Sequence, residues 1–172
     1  MEFFEVVKER FSCRKFSSKP VEDEKLEKIL EAGRLAPTAK NAQPVKVWAV
    51  KSPEALAKVR AVAPFPWIKD ASVVLVVGGT SEGAFLRPSD NRSFGDVDAT
   101  IVATHLMLAI EDAGLGTTWV GFFDVPKLKE LFPDMKDYDI VAMFPIGYKA
   151  DDAAPSERHP LRKAKDELVK YL

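Results

Sequence analysis

Arg10-Phe11-Ser12-Cys13-Arg14-Lys15-Phe16 breaks a helical pattern. Phe4, Val7 and Phe11 recur at helical spacing and predict a first amphipathic helix that ends before Arg10. From Phe11 to Phe16 that spacing fails. In an extended segment alternate residues share a face. Arg10, Ser12 and Arg14 then point one way, and Phe11 and Cys13 point into the core. A continuous helix would turn Ser12 away from both arginines. Two clustered guanidiniums repel unless an anion lies between them, and a phosphate suits the planar arginine fork and the short hydroxyl donor. On spacing alone the cluster reads either as such an anion site or as a solvated basic turn.

Working outward, a second helix follows Pro20, with Glu22, Asp23 and Glu24 at the end where a helix dipole favours acids. Leu26, Ile29, Leu30 and Gly33 share its inner face, and Pro37 stops it. Ala36 to Pro44 is a loop between two prolines, and Val45 to Lys51 reads as a strand. Ser52-Pro53 starts a helix that runs to about Val62, with Ser as cap and Pro in the first turn. Pro64 and Pro66 bracket a rigid turn. The apolar, β-branched run from Ala71 to Val77 predicts a strand covered on both faces. Gly78 to Gly95 is irregular, a candidate lid or partner contact. Asp96 to Ala113 is the longest helical pattern, apolar around most of its circumference and so expected to be buried. Thr117 to Phe123 reads as a strand, Pro126 to Phe132 as a short helix and Ile140 to Tyr148 as another strand. Asp151 to Pro160 is a polar link, and Arg162 to Leu172 a charged helix or tail. This order predicts one α+β domain over residues 1–172, layered about a central sheet.

Composition narrows the function. Lys plus Arg is 25 and Asp plus Glu is 26, a net charge of -1, so the strongly basic footprint of a nucleic-acid binder is absent. A single cysteine allows no intrachain disulfide, which fits a reducing compartment. The charged N-terminus lacks the apolar stretch of a signal peptide, and Ala71 to Gly79 is far too short to cross a bilayer as a helix. The expectation is a cytoplasmic protein with no nucleic-acid or membrane partner. Gly78 to Gly83 follows a strand but fits neither nucleotide motif, because no Lys follows Gly83 and Thr80 stands where the dinucleotide fingerprint needs glycine. Gly114-Leu115-Gly116 runs from helix to strand and reads as a helix cap. His105 has no helical ligand partner and reads as a core histidine with a hydrogen-bond partner, so no metal site is expected. Cys13 reads as a small buried side chain, and no Gly-x-Ser-x-Gly elbow is present. With no side-chain apparatus for bond breaking, no catalytic residue is assigned, and any redox or transfer chemistry falls to a cofactor.

Arg10 to Phe16, followed by Ala36-Pro37-Thr38-Ala39-Lys40-Asn41-Ala42-Gln43-Pro44, resembles the opening of the FMN-dependent nitroreductase family. Gly95-Asp96-Val97-Asp98-Ala99, Gly114 to Gly121 and Pro145-Ile146-Gly147-Tyr148 agree in the same order. Arg162-Lys163 followed by Glu167-Leu168-Val169 resembles the family's C-terminal signature, with Ala164 and Lys165 replacing its usual Pro and Leu. The resemblance implies a three-layer α/β/α sandwich with a central mixed sheet, built as an intertwined homodimer with two flavins at the interface. It implies that Arg10, Ser12 and Arg14, with Phe11 between them, hold the phosphate and ribityl chain of a tightly bound FMN. Arg162 and Lys163 would complete the phosphate cage, with Arg158 a rival for that role. Pro37, Thr38, Ala39 and Asn41 would form a loop that reaches the flavin from the partner subunit. Trp119, Val120 and Gly121 would set backbone against the flavin, where Gly121 permits a close approach; Trp119 also fits ordinary core packing.

The implied activity is a ping-pong oxidoreductase. NAD(P)H binds transiently by stacking, delivers hydride and leaves, and an electron-poor acceptor such as a nitroaromatic or quinone takes its place. Phe65, Trp67 and the Gly78 to Gly95 loop are candidate walls of that shared pocket. The chain is short beside larger family members, whose substrate-shaping insertions it is expected to lack. The alternative reading is a flavin-binding or flavin-storage module with little turnover.

Overall fold

The computed structural model describes residues 1–172. Helices α1 (Phe3–Glu9) and α2 (Asp23–Arg34) precede strand β1 (Val45–Val50), helix α3 (Pro53–Val62) and strand β2 (Val73–Gly79). A small hairpin, β3 (Leu86–Arg87) and β4 (Arg92–Ser93), leads to the long helix α4 (Gly95–Asp112). Strand β5 (Gly116–Thr117), helix α5 (Val125–Leu131), strand β6 (Asp139–Gly147) and a single helical turn, α6 (Lys165–Leu168), complete the chain. Ser52 caps α3 by accepting the Ala55 N–H at 3.2 Å, and Asp124 caps α5 by accepting the Lys127 N–H at 3.0 Å.

The sheet has the order β1-β2-β6-β5. Alternation along its two central strands sorts the core into two layers. Val73, Leu75 and Val77 of β2, with Ala142, Phe144 and Ile146 of β6, meet α2 and α4 on one face. Val74, Val76 and Met143 meet α3 and α5 on the other. Helices cover both faces, giving the α/β/α layering, and the unbroken apolar run in β2 follows from that double burial. All ladders between the named strands are antiparallel. The mixed character of the sheet rests on one parallel bridge, Ser12 to Thr117.

The expected strand from Thr117 to Phe123 is a correction. Only Gly116–Thr117 forms a ladder, and Val120 rejoins β6 at Met143 with both backbone hydrogen bonds at 3.0 Å. The register is unbroken between Thr117–Ile146 and Val120–Met143, which sets Pro145 opposite Thr118. Proline has no N–H to donate, so the ladder lapses there and frees the backbone at Trp119. A second correction concerns α4. Its inner face carries Ala99, Val102, Ala103, Leu106 and Ile110, but Thr100, His105 and Asp112 are exposed. His105 is therefore a surface residue, its Nδ1 3.0 Å from the Ile101 carbonyl. Within the irregular stretch, Phe85 and Phe94 meet edge to face at 5.4 Å and brace the β3–β4 hairpin. The C-terminal segment Arg162 to Leu172 is exposed and helical only over α6.

Two glycines let α4 start against the end of β2. A Cβ on Gly79 would stand 2.0 Å from the Gly95 carbonyl oxygen, and one on Gly95 would stand 2.2 Å from that of Thr80. No helix is long and apolar enough to cross a membrane.

The start of α2 is tied to the end of β6. The Tyr148 hydroxyl donates to both Glu22 carboxylate oxygens, at 2.7 and 2.9 Å, and Lys19 lies 3.3 Å away. The hydroxyl, helped by Lys19, pulls the Glu22 carboxyl down to about 2. A carboxyl lowered in the folded state adds stability above its unfolded value of about 4.3, and loses it as pH falls through the folded value. Glu22 is therefore expected to stay ionised at pH 3.5. Tyr148→Phe should return its titration, followed by carboxyl NMR, toward the ordinary range. A Glu22 titration unchanged in that variant would show that the hydroxyl is not the cause.

Candidate functional site

The segment from Arg10 to Phe16 is stitched to the sheet as an extended strip. Cys13 donates its backbone N–H to the Thr117 carbonyl at 2.9 Å, and Phe16 bridges Lys149. The alternation read from the sequence holds only across Ser12, Cys13 and Arg14: Cys13 is buried and Arg14 exposed, but Arg10, Phe11 and Ser12 are all half-buried, and Phe16, which shares the parity of Arg14, is buried. Arg10 follows α1 directly. The Cys13 thiol points inward and donates to the Lys15 carbonyl at 3.2 Å, and burial raises its pKa. It is a core residue, as the sequence suggests. Lys149 pairs with the buried Glu111 at 2.5 Å and lies 5.0 Å over the Phe11 ring, which clamps the strip from behind.

Arg14 borders three hollows, two of which carry Ser12 or the Trp119 to Gly121 segment singled out in the sequence. The first, of about 200 Å³, is lined by Ser12, Arg14, Lys15, Asp152, Ala154 and Ser156 among others. Lys15 pairs with Asp152 at 2.5 Å, and its ammonium holds that carboxyl below its usual range. Arg14 has no carboxylate partner; its one polar contact is a 3.5 Å approach to the Ser12 carbonyl. The second hollow, of about 170 Å³, is lined by Arg14, Phe65, Trp67 and the segment from Thr118 to Phe122. Phe65 and Trp67 stack at 5.1 Å, and Phe122 meets Phe65 edge on at 6.3 Å. Trp119 lies edge-on to Phe144 at 5.1 Å and is 36% exposed, so it serves core and surface together. A Cβ on Gly121 would find only Trp119 Nε1, at 3.9 Å. The backbone there opens onto free space. A polar hollow and an aromatic hollow with accessible backbone, sharing the unpaired Arg14 guanidinium, suit a ligand with an anionic end and a flat ring.

The loop of Pro37, Thr38, Ala39 and Asn41 stands elsewhere. It turns over Ala39–Asn41, where Thr38 Oγ1 accepts the Gln43 N–H at 3.0 Å and Asn41 Oδ1 accepts from Gln43 Nε2 at 3.1 Å. Thr38 and Gln43 line a separate groove of about 300 Å³ with Arg34, Val45, Val47 and Val102. The Gly78 to Gly95 stretch stays with this loop, where Lys40 sits 4.9 Å over the Phe85 ring, and lines neither hollow at Arg14. Phe65 and Trp67 do line one. In the tail, Arg162 donates to the Leu161 carbonyl at 2.8 Å and to that of His159, so its guanidinium folds back on its own segment. Arg158, Arg162 and Lys163 are exposed and line neither hollow within one chain, and Arg10 lines neither. Sequence reasoning missed Phe122, Thr118, Asp152 and Ser156. Phe122 adjoins Gly121 and could have been found; Asp152 and Ser156 reach the site only because β6 returns the chain there.

The chain matches the Nitroreductase family profile over residues 7–65 and 62–148. Its fold superimposes on a nitroreductase family protein of Clostridium difficile 630 with a TM-score of 0.90 and 33% identity, covering 99% of this chain and 98% of that one. It is 25% identical over 177 residues to an NADPH-dependent oxidoreductase of Staphylococcus epidermidis, spanning 92% of this chain and 70% of the relative. A protein of Exiguobacterium sibiricum 255-15 whose structure was solved in complex with FMN shares the fold, with a TM-score of 0.84, 23% identity, and coverage of 100% and 98%.

Proposed function

This chain belongs to the nitroreductase family, and from that premise we propose that it is an FMN-dependent NAD(P)H oxidoreductase acting on nitroaromatics, quinones or similar electrophiles. The observation that carries the reading is that a polar and an aromatic hollow share Arg14 as a lining residue. The residues present fit FMN. The unpaired Arg14 guanidinium and the Ser12 hydroxyl, which line one hollow, offer donors to a phosphate; in this reading Arg10, at the end of α1, would reach it from outside that hollow. The open space beside Gly121 admits a flat ring against the Trp119 to Gly121 backbone. FMN, when bound, supplies the two-electron chemistry, accepting hydride from NAD(P)H and passing reducing equivalents to the acceptor.

The chain's own residues bind and orient. Phe65, Trp67 and Phe122 offer an aromatic wall, suited to stacking a nicotinamide and then a planar acceptor in the same place. Such an exchange makes the kinetics ping-pong. No general acid or base is required of the chain. Pro37, Thr38, Ala39 and Asn41 stand apart from Arg14 within one chain, so in this reading they serve the site of a second copy in a homodimer. Arg162 with Lys163, or Arg158, would complete the phosphate contacts once the exposed tail is placed in that dimer.

The test is a visible spectrum of protein reconstituted with FMN, taken before and after anaerobic NADH or NADPH and again after a quinone. Flavin bands that bleach and then return are expected. Failure to retain FMN would overturn the cofactor assignment. Retained bands that neither nucleotide bleaches would overturn the reductase and leave a flavin carrier.

A further inference from the structure

Asp98 sits in the first turn of α4, where a helix dipole favours an acid. That placement alone does not explain its burial. Asp96, in the same turn, is exposed, and its Oδ1 accepts the neighbouring Val97 N–H at 2.9 Å. Asp98 is only 1% exposed and reaches a segment 59 residues away, where its Oδ1 accepts the Ala39 N–H at 2.9 Å. Its Oδ2 is buried with no hydrogen-bond partner in the chain. A buried polar atom left in this way is costly, so a compensating role is to be sought in what Oδ1 holds.

What it holds is a strained loop. Lys40 and Gln43 have φ of 52° and 53°, in the left-handed region that such side chains disfavour, and Asn41 between them, at 54°, is of the type that tolerates it. Such a conformation persists only where surrounding contacts over-determine it. Two side-chain contacts, Thr38 to Gln43 and Asn41 to Gln43, lie within the loop itself. The Asp98 bond comes from outside and is anchored on the buried face of α4. We propose that Asp98 is a positioning residue of the flavin site: it pins the 38–43 loop in the shape that presents Thr38 and Asn41 to a flavin held by a second copy. This rests on the flavoprotein reading above.

Asp98→Ala removes the acceptor. Asp98→Asn keeps an acceptor oxygen for Ala39. Ala39→Pro removes the donor from the other side while leaving Asp98 in place. Ala39 opens a 3-10 turn and Thr38 is extended, with φ -132° and ψ 157°, so proline fits there. In the flavin-free protein, Asp98→Ala and Ala39→Pro are expected to speed amide exchange at Lys40 to Gln43. Both should weaken FMN binding about tenfold, the scale of one lost hydrogen bond to a buried acceptor, and alter the visible circular dichroism of the bound flavin. Asp98→Asn should restore all three. If Asp98→Ala does not fold, Ala39→Pro and Asp98→Asn carry the test. Exchange and FMN affinity at wild-type values in Asp98→Ala or Ala39→Pro would overturn the role of Asp98. An Asp98→Asn variant as defective as Asp98→Ala would also overturn it. Absence of FMN binding in the wild type would instead overturn the flavoprotein reading on which it rests.

Discussion

Arg14→Ala is expected to hold FMN roughly ten- to a hundredfold less tightly than the wild type. A hydrogen bond to a charged partner contributes roughly 1.5–3 kcal/mol, and about 1.4 kcal/mol is one decade in affinity. The fold should not suffer. Arg14 is exposed, has no carboxylate partner and touches only the Ser12 carbonyl, at 3.5 Å. Its removal strands no buried charge, and surface changes of that kind usually stay within about 0.5 kcal/mol. Arg14→Lys should fall between the two, because lysine restores the charge without the planar fork. The contact is solvent-exposed, so added salt should narrow the gap between wild type and Arg14→Ala. Flavin fluorescence titrations beside thermal melts provide both readouts. Equal affinities with equal melts would remove Arg14 from the site.

The parts of this molecule that were legible in the sequence are those governed by a short period. That Ser12 and Arg14 share a hollow with Cys13 turned inward between them follows from the two-residue alternation of any extended strip, but the alternation does not reach Arg10, which still caps α1. The apolar run in β2 is its own signature of double burial. Ser52-Pro53 marks the start of α3 by local cap chemistry alone. What escaped depends on residues far away. The lapse of the strand after Thr117 is set by Pro145, whose missing N–H matters only once β6 lies alongside. His105 fits an apolar helix on paper, yet it falls on the face of α4 that no element of the chain covers. The bond from Asp98 to Ala39 joins two motifs 59 residues apart, and no local pattern links them. The polar hollow beside Arg14 owes Asp152 and Ser156 to the return of the chain after β6. The family motifs named the two groups of residues proposed to hold the flavin. That the 38–43 loop and the Ser12-Arg14 strip lie apart within one chain depends on how the fold places them, which no local pattern carries.

Gly121 offers a sharper separation of fold from ligand. Gly121→Leu is expected to fold as the wild type does and to lose FMN affinity by roughly five- to a hundredfold, since intruding on a filled site costs roughly 1–3 kcal/mol. Two observations set the direction. Gly121 is not among the residues with positive φ, so its backbone accepts any L side chain. An added Cβ would meet only Trp119 Nε1, at 3.9 Å, so the protein itself leaves the space free. A glycine required by neither conformation nor internal packing has no role in stability that a larger residue would spoil. Its hollow is shared with Arg14, Phe65, Trp67 and Phe122, and a leucine would fill the place argued to take the flat ring. Gly121→Ala should lose less than Gly121→Leu, giving a series graded by volume at constant melting temperature. A melting point that falls in step with side-chain size would mean that the glycine serves packing. Undiminished FMN binding in Gly121→Leu would place the ring elsewhere and leave this hollow to the acceptor alone.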